Sequence, residues 1–133
     1  MKAPTWLGKG FVLVLHEELL ADFGGSAGVR DEGMLESALA RPLNLFEYER
    51  PSLFDLAAAY AFGIVGNHPF IDGNKRTGFM AAYVFLGRNG WQLTASEADA
   101  TAATLALASK QMTEGEFGAW LEENCRKIAR GGD

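Results

Sequence analysis

The sequence predicts an all-α protein: a compact single-domain bundle of about six helices, with at most a short strand or hairpin. Apolar residues recur three and four positions apart along much of the chain, which is the period of a helix with one buried face. At three predicted helix starts, Ser or Thr is followed three positions later by Asp or Glu, a pattern that resembles the capping box. The length of 133 residues is that of one domain, so we treat residues 1–133 as a single unit.

The first part of the chain is predicted to contain a helix and a glycine-rich connector. Apolar residues of this helix lie three or four positions apart: Val12, Leu15, Leu19 and Phe23. Thr5 is expected to cap its start, and Gly24 with Gly25 end it. Residues 24–33, GGSAGVRDEG, have no Gly-Lys-Ser/Thr and no clear preceding strand, so we interpret them as a connector and not as a phosphate loop.

A short second helix and an irregular segment are predicted next. Asp31 is expected to cap a helix that ends at Ala40, because Arg41 and Pro42 follow. Residues 42–51, PLNLFEYERP, mix two prolines with apolar and charged side chains. We therefore expect an irregular loop or a short hairpin near the surface there.

Two strongly apolar helices are predicted in the middle of the chain, over residues 52–66 and 74–88. The first opens with the capping pair of Ser52 and Asp55, and its small residues on several faces predict a buried, central helix. The second ends at the Asn-Gly pair that follows residue 88.

Three shorter elements are predicted after residue 90. Weak alternation over residues 91–94 suggests a short strand. Helices are expected over about 96–110 and 113–126, each opened by Ser or Thr with an acidic residue three positions later. Cys125 is accordingly expected to be a small residue near the end of a helix.

Composition and charge exclude several classes of protein. A net charge of −5 and a pI near 5.0 have the wrong sign for broad phosphate neutralisation, so no direct nucleic-acid binding is expected. The single cysteine cannot form an internal disulfide or a zinc cluster. The longest nearly apolar runs, 56–65 and 79–86, are shorter than the roughly 18 residues that span a membrane. The start of the chain is a poor signal peptide, so we expect a cytoplasmic protein.

One stretch, HPFIDGNKRTG at residues 68–78, concentrates the residues that can do chemistry. Gly73 and Asn74 lie where a loop becomes a helix, so free N–H groups and the positive end of the helix dipole can face an anion. Lys75 and Arg76 add two cations, and an arginine can grip phosphate oxygens with two N–H groups at once. The pattern predicts a polyphosphate site on an acidic protein.

A carboxylate and an imidazole complete this predicted site. Asp72 would repel an anionic ligand unless a metal bridges them, and one carboxylate plus phosphate oxygens is a usual way to hold Mg²⁺. His68 can accept a proton from an attacking hydroxyl near neutral pH. His16 has no fixed partner in the sequence and is interpreted as a partly buried structural histidine. Each residue type is ordinary alone, but their concentration at one helix start favours a phosphate-handling site.

At this motif the chain resembles the Fic/Doc superfamily, and more closely its death-on-curing (Doc) toxin branch. The superfamily pattern is His-x-Phe-x-Asp/Glu-Gly-Asn-Gly-Arg-x-x-Arg, and the chain reads HPFIDGNKRTGF from residue 68. Six positions match: His68, Phe70, Asp72, Gly73, Asn74 and Arg76. Segments at 16–42, 88–90 and 119–124 also resemble the Doc branch.

Two departures from the superfamily pattern distinguish its branches. Lys75 stands where AMP-transferring Fic enzymes have a glycine, and Phe79 stands where they have a second arginine. Both changes resemble the Doc pattern, which implies a reversed nucleotide whose γ-phosphate is transferred. A lysine would fill the pocket for one end of the phosphate chain and add a cation there. Phe79 is expected to lie in line with Tyr83 and Leu86, facing the core.

The resemblance implies a toxin kinase that uses ATP and Mg²⁺ to phosphorylate a threonine of elongation factor Tu and thereby arrests translation. His68 would be the base, Asp72 the Mg²⁺ ligand, and Gly73, Asn74, Lys75 and Arg76 the phosphate cradle. The self-inhibitory helix pattern of some Fic proteins is not found in the sequence, so control by a Phd-type antitoxin, bound as a helix, is expected. Residues 42–51 are expected to line the groove for the target.

Three alternative functions are weaker. A Fic-type adenylyltransferase would transfer AMP, but Lys75 and Phe79 argue against it. A catalytically silent module would only bind an antitoxin, and the intact His68 and Asp72 argue against that. A metal hydrolase using His16, His68 and Asp72 ranks last, because the sequence has no His-x-x-x-His pair.

Overall fold

Six helices and one small antiparallel sheet make up the fold in residues 3–129, the part of the chain that the computed structural model describes. In chain order the elements are α1 (Lys9–Phe23), α2 (Glu32–Tyr48), α3 (Leu53–Asn67), α4 (Asn74–Arg88), β1 (Trp91–Leu93), α5 (Glu97–Ala108), α6 (Glu114–Glu123) and β2 (Cys125–Lys127). The all-α class and the short strand near residue 91 are confirmed. None of these helices combines the length and the hydropathy needed to cross a membrane. A single domain over 1–133 stays a prediction, since it includes residues outside the described range.

Helix α3 lies at the centre of the fold, packed against α2, α4 and α6. Its start is the predicted capping box: Ser52 Oγ accepts from the Asp55 N–H at 3.1 Å, and Asp55 Oδ2 accepts from the Ser52 N–H at 3.0 Å. Small residues permit close approach, since a Cβ at Gly78 of α4 would lie 2.8 Å from Val65 Cγ2. Any side chain at residue 78 would therefore push α4 away from α3.

The predicted end of α2 at Ala40 and the loop at 42–51 are wrong, because α2 continues through Pro42 to Tyr48. A proline inside a helix costs about 3 kcal/mol, since it has no N–H to donate and its ring crowds the preceding turn. Burial offsets this cost. Pro42 is almost fully buried, and Leu45 and Phe46 of the next turn pack against the core.

Several predicted helix ends also differ from the structure. The N-cap of α1 is Gly8 and not Thr5, whose N–H instead donates to Asn89 Oδ1 at 2.7 Å and ties the start of the chain to the end of α4. Helix α6 ends at Glu123, so Cys125 lies in β2, opposite Leu93, and not in a helix. Partial burial raises the pKa of the Cys125 thiol to about 11, so at neutral pH it is protonated and unreactive.

Candidate active site

The connection between α3 and α4 consists of residues 68–73 and carries the first part of the predicted motif, which continues into α4. His68 ends α3 in the left-handed conformation, with φ 52° and ψ 52°, and its side chain is exposed. Gly73 begins α4 with φ 79°, a conformation that favours glycine. Because α3 and α4 pack tightly against each other, both ends of the connection are fixed in position.

Asn74 is the residue that organises this loop, and its side chain is 3% exposed. Its Oδ1 accepts from the Phe70 N–H at 2.9 Å, and its Nδ2 donates to the Phe70 carbonyl at 3.0 Å. Nδ2 also lies 3.1 Å from His68 Nδ1. The Phe70 N–H fixes which end of the amide is the oxygen, so Nδ2 is the donor and His68 Nδ1 the acceptor. A neutral His68 in this arrangement therefore carries its proton on Nε2.

The carboxylate of Asp72 is exposed but held by two backbone N–H groups. Its Oδ1 accepts from Gly73 N–H at 2.9 Å, and its Oδ2 accepts from Ser26 N–H at 3.2 Å. Each oxygen keeps a lone pair for another partner. Within the described residues no group of three or more His, Cys, Asp and Glu side chains could hold a metal ion. A single carboxylate with a free lone pair on each oxygen fits Mg²⁺ shared with phosphate oxygens.

Lys75 and Arg76 are exposed in the first turn of α4, which no side chain caps. The Arg76 guanidinium lies over the ring of Phe23, with 4.2 Å from its carbon to the ring centroid. Both cations line a cleft of about 540 Å³ between α1, α4 and α5. Phe79 and Tyr83 are only partly buried and line the same cleft, so the prediction that Phe79 faces the core is correct only in part.

The glycine-rich segment 24–31 forms one wall of the motif loop. The Gly28 carbonyl accepts from the Ile71 N–H at 3.1 Å, and the Arg30 N–H donates to the Pro69 carbonyl at 2.7 Å. The Arg30 side chain donates to the carbonyls of His68, at 2.7 Å, and Asn67, at 2.9 Å. The connector interpretation is confirmed for residues 24–31, and Ser26 and Arg30, which no sequence pattern indicated, hold the motif.

Glycine is required in this wall where it approaches Asp72. A Cβ at Gly25, which has φ 124°, would lie 2.9 Å from Asp72 Oδ2. The abundance of glycine in residues 24–33 was the available signal, because glycine is common where two backbones approach closely.

His16 on α1 also contacts the motif. It is 3% exposed, its ring stacks on Phe70 at a centroid distance of 3.8 Å, and its Nε2 donates to the Asp72 carbonyl at 2.8 Å. The prediction of a structural helix histidine is correct as to burial. The sequence showed no partner because Asp72 lies 56 positions away.

Residues 42–51, which were expected to line the groove for the target, lie away from the motif. They form the last turns of α2 and its connection to the N-terminal end of α3. His68 is at the C-terminal end of α3, and 15 helical residues span about 22 Å. A cavity of about 780 Å³ lies at that distant end, lined by Tyr48, Arg50 and the ion pair of Arg41 with Glu114. That residues 42–51 line the groove for the target stays a prediction.

The fold and this loop belong to a known class of protein. A model described as the Fic/DOC family matches residues 6–86, which is more than half of the chain and includes the motif and the wall at 24–31. The chain therefore belongs to the Fic/DOC family.

Two relatives indicate which branch of the family the chain resembles more closely. The chain is 47% identical over 75 residues to a protein named Toxin Doc from Mycolicibacterium smegmatis (strain ATCC 700084 / mc(2)155), a match that covers 55% of this chain and 58% of the relative. It is 35% identical over 83 residues to Protein kinase doc of Escherichia phage P1, covering 62% of this chain and 66% of the relative. The chain thus spans less than two thirds of either relative. Both are Doc proteins, which confirms the predicted resemblance to the Doc branch.

Proposed function

We propose that the protein is the toxin of a toxin–antitoxin pair and a protein kinase that transfers the γ-phosphate of ATP to a threonine of elongation factor Tu. Its similarity to proteins named Toxin Doc and Protein kinase doc supports this. The observation that carries the proposal is the start of α4, where an uncapped helix end with two exposed cations directly follows an exposed carboxylate. On this proposal the protein acts in the cytoplasm and arrests translation.

The start of α4 is equipped to bind phosphates. Its first N–H groups have no side-chain partner, and Lys75 and Arg76 add positive charge at the positive end of the helix dipole. Asp72 would hold Mg²⁺ jointly with the nucleotide, and the ion would neutralise phosphate charge. Phosphoryl transfer depends mainly on positioning and charge stabilisation, which these residues supply. The Asn74 side chain is committed to the loop and supports the cradle from within.

His68 is the proposed base for the target hydroxyl. To accept that proton through Nε2, the imidazole must carry its own proton on Nδ1. In the structure Nδ1 accepts a hydrogen bond from Asn74, so the proposed mechanism requires that contact to open and the proton to move. The ¹⁵N shifts of the His68 ring report which nitrogen is protonated, before and after substrates are added.

The proposed antitoxin is of the Phd type, and its docking site is the cleft between α1, α4 and α5. Apolar side chains of Leu19, Phe79 and Leu93 line this cleft together with Lys75 and Arg76. A helix with one apolar face and nearby acidic residues would match this lining. Such a helix would cover the proposed phosphate cradle and so inhibit the enzyme.

The experiment that tests the function uses purified protein, elongation factor Tu, Mg²⁺ and ATP labelled at either the α- or the γ-phosphate. We expect label from the γ-position only, with transfer reduced about 10²- to 10⁴-fold in His68→Ala. Gln111→Ala, an exposed change in the connection between α5 and α6, is the matched control and should transfer at the wild-type rate.

Other outcomes are equally informative. Label from the α-phosphate would identify an adenylyltransferase and refute the proposed role of Lys75. Absence of transfer from either position would refute the proposed target. Undiminished transfer in His68→Ala would refute the base.

A further inference from the structure

Helix α1 places a buried histidine directly beneath the motif loop. We propose that His16 is a positioning residue: it orients the peptide between Asp72 and Gly73 and thereby sets the direction of the Asp72 carboxylate. The link from this carboxylate to Mg²⁺ and ATP rests on the proposed function. The orientation of the peptide does not.

Two contacts from different directions fix the His16 ring. It stacks on Phe70 with planes 9° apart, and its Nε2 lies 2.8 Å from the Asp72 carbonyl oxygen. A carbonyl can only accept, so Nε2 carries a proton and donates it. With 3% of the residue exposed, water has little access to replace this bond.

The geometry of one peptide plane connects His16 to the carboxylate. In a trans peptide, the carbonyl and the following N–H point in opposite directions from one rigid plane. The Asp72 carbonyl accepts from His16, and the Gly73 N–H of the same plane donates to Asp72 Oδ1 at 2.9 Å. Rotation of this plane would break both bonds together. Holding the carbonyl therefore holds the N–H that orients the carboxylate.

Gly73 is the reason why the peptide plane needs a side-chain contact to fix its orientation. As a glycine with φ 79° it has more backbone freedom than any other residue, so the loop alone does not fix the plane. The ring of His16 is also within contact range of Gly73, since a Cβ there would lie 3.7 Å from His16 Nε2. One imidazole thus contacts Phe70 and the Asp72 carbonyl and lies beside Gly73.

Two substitutions separate the donor from the bulk of the side chain. His16→Phe keeps an aromatic ring against Phe70 and removes the N–H, whereas His16→Gln keeps an N–H donor at a similar reach. Val12→Ala, a buried change one turn earlier on α1, controls for general loss of stability. The first measurement is amide hydrogen exchange at Ser26 and Gly73, whose N–H groups bind the Asp72 carboxylate.

We expect exchange at both amides to be about 10-fold faster in His16→Phe, and close to wild type in His16→Gln and Val12→Ala. The second measurement is ATP binding as a function of Mg²⁺ concentration, where residues that orient a metal ligand typically change metal affinity 10- to 100-fold. His16→Phe should raise the half-saturating Mg²⁺ concentration about 10-fold, and His16→Gln should largely restore it.

Unchanged amide exchange in His16→Phe would overturn the positioning role, whatever the result of the ATP-binding measurement. Faster exchange equally present in Val12→Ala would also overturn it, because the effect would then be one of stability. Wild-type protein without Mg²⁺-dependent ATP binding would refute the proposed function, while amide exchange would still decide the role of His16.

Discussion

The starts of α4 and α6 differ in every feature that normally stabilises the beginning of a helix. Thr113 and Glu116 form a reciprocal capping box at α6, and the first turn carries two acidic residues. Helix α4 begins at Gly73 without a side-chain cap, has no acidic residue in its first turn, and carries Lys75 and Arg76 instead.

The difference shows which helix end can bind a ligand. A capped end uses its own N–H groups and its dipole internally, which adds to stability. The start of α4 leaves its N–H groups and its dipole available to a ligand. It also places the positive charges of Lys75 and Arg76 at the positive end of the dipole, which costs stability. Helix α1 also lacks a side-chain cap, but its Lys9 is paired with Glu32 at 2.7 Å. Among the helices of residues 3–129, only α4 combines uncapped N–H groups with cations and an adjacent carboxylate.

The largest expected effect comes from reversing one charge at the start of α4. Lys75→Glu should weaken ATP binding roughly 100-fold, because it replaces a charged hydrogen-bond donor with a repelling carboxylate. It should also stabilise the fold by about 0.3–1 kcal/mol, since a negative charge favours a helix start. Calorimetric ATP titration and urea unfolding measure the two effects.

Lys127→Glu is the matched control for this charge reversal. Lys127 lies in β2, which adjoins the opposite end of α4, and its side chain is exposed. The control should bind ATP as wild type does. If Lys75→Glu bound ATP equally well, the start of α4 would not be the phosphate cradle.

Removing a cap from α6 tests the other side of the comparison. Thr113→Ala deletes the hydroxyl that accepts from the Glu116 N–H at 3.1 Å, and it should cost about 1 kcal/mol of unfolding free energy. ATP affinity should not change, because this helix start serves stability only. A loss of ATP affinity at unchanged stability would contradict the distinction between the two ends.

The smallest expected effect concerns a second unfavourable feature of α4. Thr77 Oγ1 is the one buried side-chain nitrogen or oxygen in the described part of the chain without a hydrogen-bond partner. Thr77→Val should therefore stabilise the protein by up to about 1 kcal/mol in urea unfolding. Thr104→Val is the control, because its hydroxyl donates to the Ala100 carbonyl at 2.8 Å. An equal gain in both variants would show that the missing partner is irrelevant.

Features set by neighbouring residues were predictable from the sequence. The capping boxes of α3 and α6, the central position of α3 and the exposed cations at the start of α4 all depend on residues within one or two turns. The six residues of the motif loop and its flanking helices were likewise found where the sequence predicted them.

Features set by distant contacts were not predictable. Local signals at Pro42 favour a helix end, and only the burial of the following turns reverses that preference. His16 and Ser26 lie 56 and 46 positions from Asp72, and Arg30 lies 38 positions from His68. Periodicity and short motifs reflect residues that are close in sequence and do not indicate contacts at such separations. The contacts of residues 24–31 and His16 with the motif are therefore seen only in the structure.

These long separations have a consequence for the protein during its own synthesis. Because α1 and the segment 24–31 precede Asp72 and α4 in the sequence, they are synthesised first, and the domain folds as a unit afterwards. A nascent or truncated chain that ends before Asp72 contains the residues of the wall without the carboxylate, Lys75 or Arg76. On the proposed function, toxicity therefore begins only when the whole domain has folded, and the antitoxin has until then to be present.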